Sequence, residues 1–282
     1  MSEKGSIVVT GASTGIGYAC ALGLDALGYG VVAGVRKEED GDRLRAASSD
    51  RLTTVILDVT NPEQIATVAK EVAASSSESP LVGLINNAGI TVNGPIEYIG
   101  LDDLRWQFEV NVIGLVAVTQ AFLPLLRESK GRIINISSVG GFSVTPMLGP
   151  YCGSKFAVEA ISDALRRELR PSGIEVIVMQ PAAIATKIWE KGRGASASFI
   201  SNADPGLTTH YGTLLQAITK YATDAEKRAA DPQVVVDAVV HALESRRPKT
   251  RYRMGDGVGQ RVFLRMLPDR WADRVIARAT GH

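Results

Sequence analysis

The chain has 282 residues, 45% hydrophobic and 22% charged, with 31 Lys and Arg against 30 Asp and Glu. That balance is typical of a soluble globular protein with a sizeable core, and a net charge of +1 gives no pull toward nucleic acid or an acidic partner. Two cysteines (Cys20, Cys152) and three scattered histidines exclude a disulfide framework and a zinc site, so no metal is expected.

The N-terminal stretch MSEKGSIVVTG runs directly into a strand, without the apolar run and cleavage site of a signal peptide. No uninterrupted apolar window reaches the length of a membrane span, so a cytoplasmic location is expected. Six short runs follow in order: 6–10, 30–35, 53–57, 81–86, 132–137 and 175–180. Each is apolar on both faces, as buried parallel strands are. Between them lie segments of helical period. One covers 18–27, and another opens with TNPE, where Thr60 and Glu63 fit a capping box and Pro62 falls in the first turn. The repeated strand–helix–strand units predict an α/β fold, a doubly wound (Rossmann) parallel sheet in a single domain over residues 1–282.

From about 184 to 230, Gly, Ala, Ser and Thr dominate through EKGRGASASFISNADPGLTTH, which reads as a substrate-loop insertion. Asp231-Pro232 then opens a helix as N-cap and first-turn proline, and TRYRMG supplies a last strand. The C-terminal extension, about 255–282, mixes Arg with Val, Phe, Leu and Trp at helical spacing. Packing on the pocket or on another subunit is its expected role, with contact to a membrane surface as the alternative.

The first strand leads into TGASTGIG, Thr10–Gly17. Gly11, Gly15 and Gly17 allow a tight turn, bring backbone N–H groups to a pyrophosphate and pack the helix on the sheet. The turn stands between a strand and a helix, which points to a dinucleotide, with Ser13, Thr14 and Ile16 among its contacts. The second strand ends in Val35-Arg36-Lys37, where an acidic residue would hold the ribose hydroxyls. A guanidinium pairs instead with a 2′-phosphate, so NADP(H) is favoured. NAD(H) is the alternative: Glu38, Glu39 and Asp40 follow closely, and Arg36 could merely stack over adenine.

In YCGSKF, Tyr151 and Lys155 stand about one helical turn apart and share a face. With TGASTGIG, NNAG at Asn86–Gly89 and YCGSK in this order, the chain closely resembles the short-chain dehydrogenase/reductase family in its short form, over about residues 5–255. VRKEEDGDRL, PAAIATKIWEKG and the extension also look like the steroid and retinol dehydrogenase-like branch. The resemblance implies an oxidoreductase in which Tyr151 acts as general acid in reduction and general base in oxidation. Lys155 and the oxidised nicotinamide are expected to lower the tyrosine pKa from its usual ~10 by about 1–3 units. By the same resemblance Lys155 holds the nicotinamide ribose, and Ser138 in NISSVGG bonds the substrate oxygen, with Ser137 as its rival. Asn111 is to distort its helix and hold a water that links Lys155 to solvent, its alternative being a satisfied core amide.

The resemblance further implies that Asp58 contacts adenine beside Val59, unless it caps the following helix. Asn87, Ala88 and Gly89 are to lie along the cofactor, and Pro181, Ile184 and Thr186 against the nicotinamide. Ala182 stands where the family carries glycine and must keep φ negative.

The substrate pocket is expected between Gly140–Pro150 and the insertion after Thr186, lined by Phe142, Val144, Met147, Leu148, Trp189 and Phe199. No Arg or Lys is obviously placed for a carboxylate or phosphate, so a small apolar alcohol or ketone, steroid- or retinoid-like, is the expected substrate. A 3-ketoacyl thioester reductase and a non-catalytic dinucleotide sensor are the other readings. The resemblance implies a homodimer or homotetramer paired through the helices around Leu101–Leu126 and Pro150–Leu169.

Overall fold

The computed structural model describes residues 4–186 and 205–280. Seven parallel strands form one sheet in the order β3-β2-β1-β4-β5-β6-β7. They are β1 (Ser6–Val9), β2 (Gly30–Val35), β3 (Leu52–Ile56), β4 (Leu81–Asn86), β5 (Arg132–Ile136), β6 (Glu175–Pro181) and β7 (Arg251–Met254). Each strand lies within a residue or two of its apolar run. The run was legible because both faces are covered: Ile7, Val8, Ile85, Ile133 and Ile134 are fully buried. The sheet winds in opposite directions from β1 and β4, so the carboxyl ends of those two strands border the crevice where such folds bind ligands.

One face of the sheet packs against α1 (Gly15–Ala26) and α8 (Gln233–Glu244), through Cys20, Leu24, Val235 and Val239. The two helices approach so closely that a Cβ on Gly23 would stand 2.5 Å from a Val236 methyl. The other face packs against α3 (Pro62–Ser75) and α5 (Gly114–Ser129), through Ile65, Val68, Phe122 and Leu126. α2 (Glu38–Ala46) follows β2, and α6 (Gly149–Glu168) lies between β5 and β6 in the chain.

α4 (Leu101–Phe108) runs through a π turn at Glu109–Ile113 into α5, one continuous helix over Leu101–Ser129. By length and composition alone this helix could cross a membrane, although Asn111, Thr119 and Gln120 interrupt its apolar run. Val118, Phe122 and Leu126 are fully buried in the sheet-facing core, so it serves here as a core helix.

Two caps differ from expectation. Asn61, not Thr60, caps α3: its Oδ1 accepts the N–H of Glu63 at 3.0 Å and of Gln64 at 3.1 Å. Asn61 sits one residue nearer the orphan donors, and Thr60 instead donates its hydroxyl to Asp58 Oδ1 at 2.8 Å. Pro62 is the first residue of α3, as expected. α8 starts just beyond Pro232, and Asp231 Oδ1 accepts the Gln233 N–H at 2.7 Å.

The insertion is not a structureless loop from Pro205 onward. α7 (Pro205–Lys227) is a 23-residue helix that buries Leu207 and Ala225. Trp189 and Phe199 lie outside the described residues. The extension forms α9 (Val258–Met266) and α10 (Asp269–Thr280), the latter lying against α7.

Candidate active site

The glycine turn is built by close approach of β1 and β4. Thr10 Oγ1 accepts the N–H groups of Asn87 and Ala88, both at 3.0 Å, and Asn87 Nδ2 returns bonds to the carbonyls of Thr10 (2.9 Å) and Gly11 (3.0 Å). Gly11 has φ of 65°, and a Cβ there would stand 2.8 Å from Ala88 Cα. At Gly17 a Cβ would meet the Gly11 carbonyl oxygen and Asn87 Nδ2 at 2.4 Å. Thr14 precedes α1 with no side-chain cap, so the first N–H groups of the helix stay open where Gly15 and Ile16 line the crevice.

The crevice is one cavity of about 700 Å³ that takes in nearly every expected cofactor residue: Gly11, Ser13, Thr14, Gly15, Ile16, Arg36, Asp58, Val59, Asn87, Ala88, Gly89, Tyr151, Lys155, Pro181, Ile184 and Thr186. Gly17 is not in its lining, because its part is to pack α1 on the turn. Arg36 reaches the cavity with no partner among the described residues. Two of the acids after it are engaged elsewhere: Glu38 pairs with Arg45 at 2.9 Å, and Asp40 pairs with Arg43. Asp58 does not cap α3; its Oδ1 accepts the Thr60 N–H at 2.9 Å, and its own N–H donates to Gln64 Oε1 at 2.7 Å. Ala182 keeps φ out of the positive region and is pinned by its N–H to the Met254 carbonyl at 2.8 Å.

At the other end stand Ser138, just past β5, and Tyr151 and Lys155 in the first two turns of α6. Ser138 Oγ accepts the Gly140 N–H at 3.0 Å and donates to the Pro181 carbonyl at 3.4 Å, and its side chain acts to lower the Tyr151 pKa. Ser137, its rival, also lines the cavity, but its hydroxyl is buried without a hydrogen-bond partner. The Lys155 ammonium donates to the Ile136 carbonyl at 2.8 Å and stands 5.8 Å from the Tyr151 ring centroid. Asn111 lies in the π turn, 1% exposed and outside the cavity lining. It accepts the Ile90 N–H at 2.8 Å and donates to the Ile90 carbonyl (3.1 Å) and Ser154 Oγ (3.0 Å). Ser154 in turn donates to the Tyr151 carbonyl at 2.7 Å, so the helix distortion is coupled to the start of α6.

The tyrosine pKa does not fall as expected. Tyr151 touches the cavity yet sits deep among protein atoms, and this burial pushes it up to about 12 against the opposing action of the Ser138 side chain. Burial also lowers Lys155 to about 8, with the Glu159 charge acting to raise it. Desolvation penalises both charged forms and is the largest cause of each shift.

Met147 and Leu148 line the cavity, Met147 with a left-handed φ of 68° that is costly for a side chain. Phe142 does not: the Arg253 guanidinium lies 5.1 Å from its ring centroid, on the far side of β6. Val144 also stays out of the lining and is half exposed. Their place is taken by residues the sequence reading missed, Leu215, Ile218 and Tyr221 of α7 and Gln260 and Arg261 of α9. A signal for α7 exists, since Asp204-Pro205 repeats the Asp231-Pro232 pattern. No Arg or Lys is obviously placed for a carboxylate or phosphate in the sequence, but Arg228 and Arg261 both line the cavity.

Any side chain on Gly11 would crush into Ala88, which leaves backbone open to a ligand's phosphates, and the same cavity ends at a tyrosine able to hold or release a proton. That layout defines a dinucleotide-dependent oxidoreductase. Residues 6–196 match the short chain dehydrogenase family, and the chain belongs to it. It is 36% identical over 274 residues, 95% of this chain and 94% of the relative, to an NADPH-dependent 3-dehydrocapnine reductase from Ornithobacterium rhinotracheale. It is 36% identical over 255 residues to retinol dehydrogenase 5 of Mus musculus, covering 88% and 80% of the two chains. A short chain dehydrogenase from Burkholderia cenocepacia, solved with NADP, superposes with a TM-score of 0.70 at 27% identity over 98% of each chain. Another from Burkholderia phymatum, solved with NAD, gives 0.72 at 26% over 88% of each.

Proposed function

We propose that the protein is an NADP(H)-dependent oxidoreductase of an apolar alcohol or ketone, with Tyr151 as its proton donor and acceptor. The observation that carries this reading is the placement of Ser138, Tyr151 and Lys155 in one cavity with the glycine turn and Arg36. The residues fit a dinucleotide: the glycine cradle has no room for a Cβ, and the open start of α1 can accept phosphate. Arg36 is the group that would hold a 2′-phosphate, and the diversion of Glu38 and Asp40 onto Arg45 and Arg43 keeps its charge available. The NADPH-dependent relative and the NADP-bound neighbour support the same preference. When bound, the nicotinamide supplies or accepts the hydride.

The chain's own residues manage the proton. Ser138 orients the substrate oxygen toward the Tyr151 hydroxyl, and a tyrosine raised to about 12 is protonated at neutral pH, ready to donate in reduction. Lys155 carries its charge below about pH 8 and anchors α6 to β5 through Ile136. Asn111 positions Tyr151 through Ser154. Met147, Leu148, Leu215 and Ile218 supply apolar walls for the substrate body, a reading the retinol dehydrogenase relative supports. Exposed Trp106, Ile113 and Phe156 on α4, the π turn and α6 leave apolar surface for a second copy, which supports a homo-oligomer.

The test is a titration with NADPH and NADH, followed by nicotinamide fluorescence, for wild type and Arg36→Ala. NADPH is expected to bind at least about tenfold tighter, about 1.4 kcal/mol, with the preference lost in the variant. NADH binding as well or better overturns the NADP(H) assignment.

A further inference from the structure

We propose that Arg261 reads an anionic group on the substrate, so that the preferred ligand is an acid with an apolar body rather than a neutral lipid. This rests on the reading of the cavity as the substrate site and adds the chemical class of what it takes. Arg261, on α9, lines the same cavity as Ser138, Tyr151 and Met147. Its guanidinium donates to the Tyr221 hydroxyl at 2.8 Å and lies 5.6 Å from that ring's centroid. Both contacts are to a neutral group, and among the described residues no carboxylate pairs with it.

The other cations of the cavity are accounted for. Arg228 is paired with Asp256 at 3.1 Å. Lys155 is bonded to the Ile136 carbonyl and feels the Glu159 charge. Arg36 follows β2, beside the glycine turn that the dinucleotide takes. Arg261 is thus the uncompensated cation among the described residues at the substrate end. Its charge also reaches the catalytic helix. Burial raises the thiol of Cys152, the neighbour of Tyr151, and the Thr145 backbone hydrogen bond and then Arg261 act to lower it.

A guanidinium presents a planar fork that suits a carboxylate, and a half-buried one gains more from such a partner than a solvated one does. Tyr221 fixes one side of the fork from α7 while Leu215 and Ile218 of the same helix offer apolar surface to a chain. An amphiphilic acid satisfies both at once; a neutral lipid leaves the cation without a counter-charge.

The experiment uses the full chain loaded with NADPH and measures binding of laurate and of methyl laurate by calorimetry, below micelle formation, for wild type, Arg261→Ala and Arg261→Lys. Wild type is expected to bind the acid about tenfold or more tighter than the ester. Arg261→Ala should lose that preference with ester binding unchanged, and Arg261→Lys should recover part of it. Equal binding of acid and ester by wild type, or a preference that survives Arg261→Ala, overturns the proposal. Tyr151→Phe separates this from the catalytic reading. It should keep the acid preference while losing turnover of an oxo acid and of its methyl ester. Full turnover in Tyr151→Phe would sink the catalytic role and leave the Arg261 assignment standing on the binding data.

Discussion

Lys155 stands 5.8 Å from the Tyr151 ring centroid, yet its ammonium is hydrogen-bonded to the Ile136 carbonyl at 2.8 Å. The pair therefore shares a wall, while the hydrogen bond of the lysine fastens α6 to β5. Burial lowers Lys155 to about 8 from 10.5. The unfolded chain holds that proton more tightly, so the stability of the native state rises with pH from about 8 to 10.5 on this account. Lys155→Met removes the titration. In urea unfolding, wild type should gain on the variant between pH 7 and pH 10. A difference that stays flat with pH would show that Lys155 does not titrate in this window.

Tyr151→Phe should lower kcat by about 10²–10⁴-fold while NADPH binding and melting temperature hold. With the wild-type phenol pushed up to about 12, ketone reduction should not fall at moderately alkaline pH through loss of the tyrosine proton. Alcohol oxidation, which needs the phenolate, should rise with pH. Rates in both directions, followed by NADPH absorbance, check this, and an oxidation rate independent of pH would remove Tyr151 as the base.

Asn111→Leu leaves the N–H and carbonyl of Ile90 and the Ser154 hydroxyl without this partner in a buried place. The expected cost is about 2–4 kcal/mol in denaturant unfolding. A loss below about 0.5 kcal/mol, within the range of an ordinary surface change, would mean that the π turn does not depend on this amide.

Gly17→Ala should abolish measurable dinucleotide binding, since its Cβ would stand 2.4 Å from Asn87 Nδ2 and also 2.4 Å from the Gly11 carbonyl oxygen, a backbone atom of the turn itself that cannot swing aside as a side chain can. Gly28→Ala is the control: its φ of 89° costs about 1–2 kcal/mol of stability, but nothing lies within 4 Å of the new methyl. NADPH titration should separate the two, and equal binding in both would refute the steric account.

Asp163 accepts from Arg166 and Arg251, both at 3.0 Å, and Arg251 also bonds Glu159 at 2.9 Å. Burial works to raise the Asp163 carboxyl, but these hydrogen bonds outweigh it and hold it below its ordinary 3.8. Its contribution is thus present above that value and lost as pH falls through the lower folded one. Arg251→Met should cost about 2 kcal/mol near pH 7, less than a fully buried pair because the arginine is partly exposed. The gap to wild type should narrow near pH 3. A gap that widens there would reverse the assigned sign.

The sheet was legible because strands covered on both faces leave unbroken apolar runs, and the glycine turn because its constraints lie within a few neighbouring residues. Other features were set by competition or by distance along the chain. Thr60 and Asn61 can both cap α3, and only the fold shows that Asp58 claims the threonine hydroxyl. Tyr151 and Lys155 were singled out by their spacing together with the family resemblance, but the burial that raises one pKa and lowers the other is a property of the packed cavity. Arg261 and the apolar residues of α7 reach the pocket only through tertiary packing, and no local pattern marks them as neighbours of Ser138.

The clamp formed by Arg251 lies 92 residues after Glu159, on the last strand of the sheet. Ribosomes lay down the helix bearing Tyr151 and Lys155 well before that arginine exists. At about 5–20 residues per second, the nascent chain waits about 5–20 s with the acidic face of this helix unlatched. A chain that ends before residue 251 would hold Asn111, Ser138, Tyr151 and Lys155 but lack the arginine that joins Glu159 and Asp163 of α6 to β7.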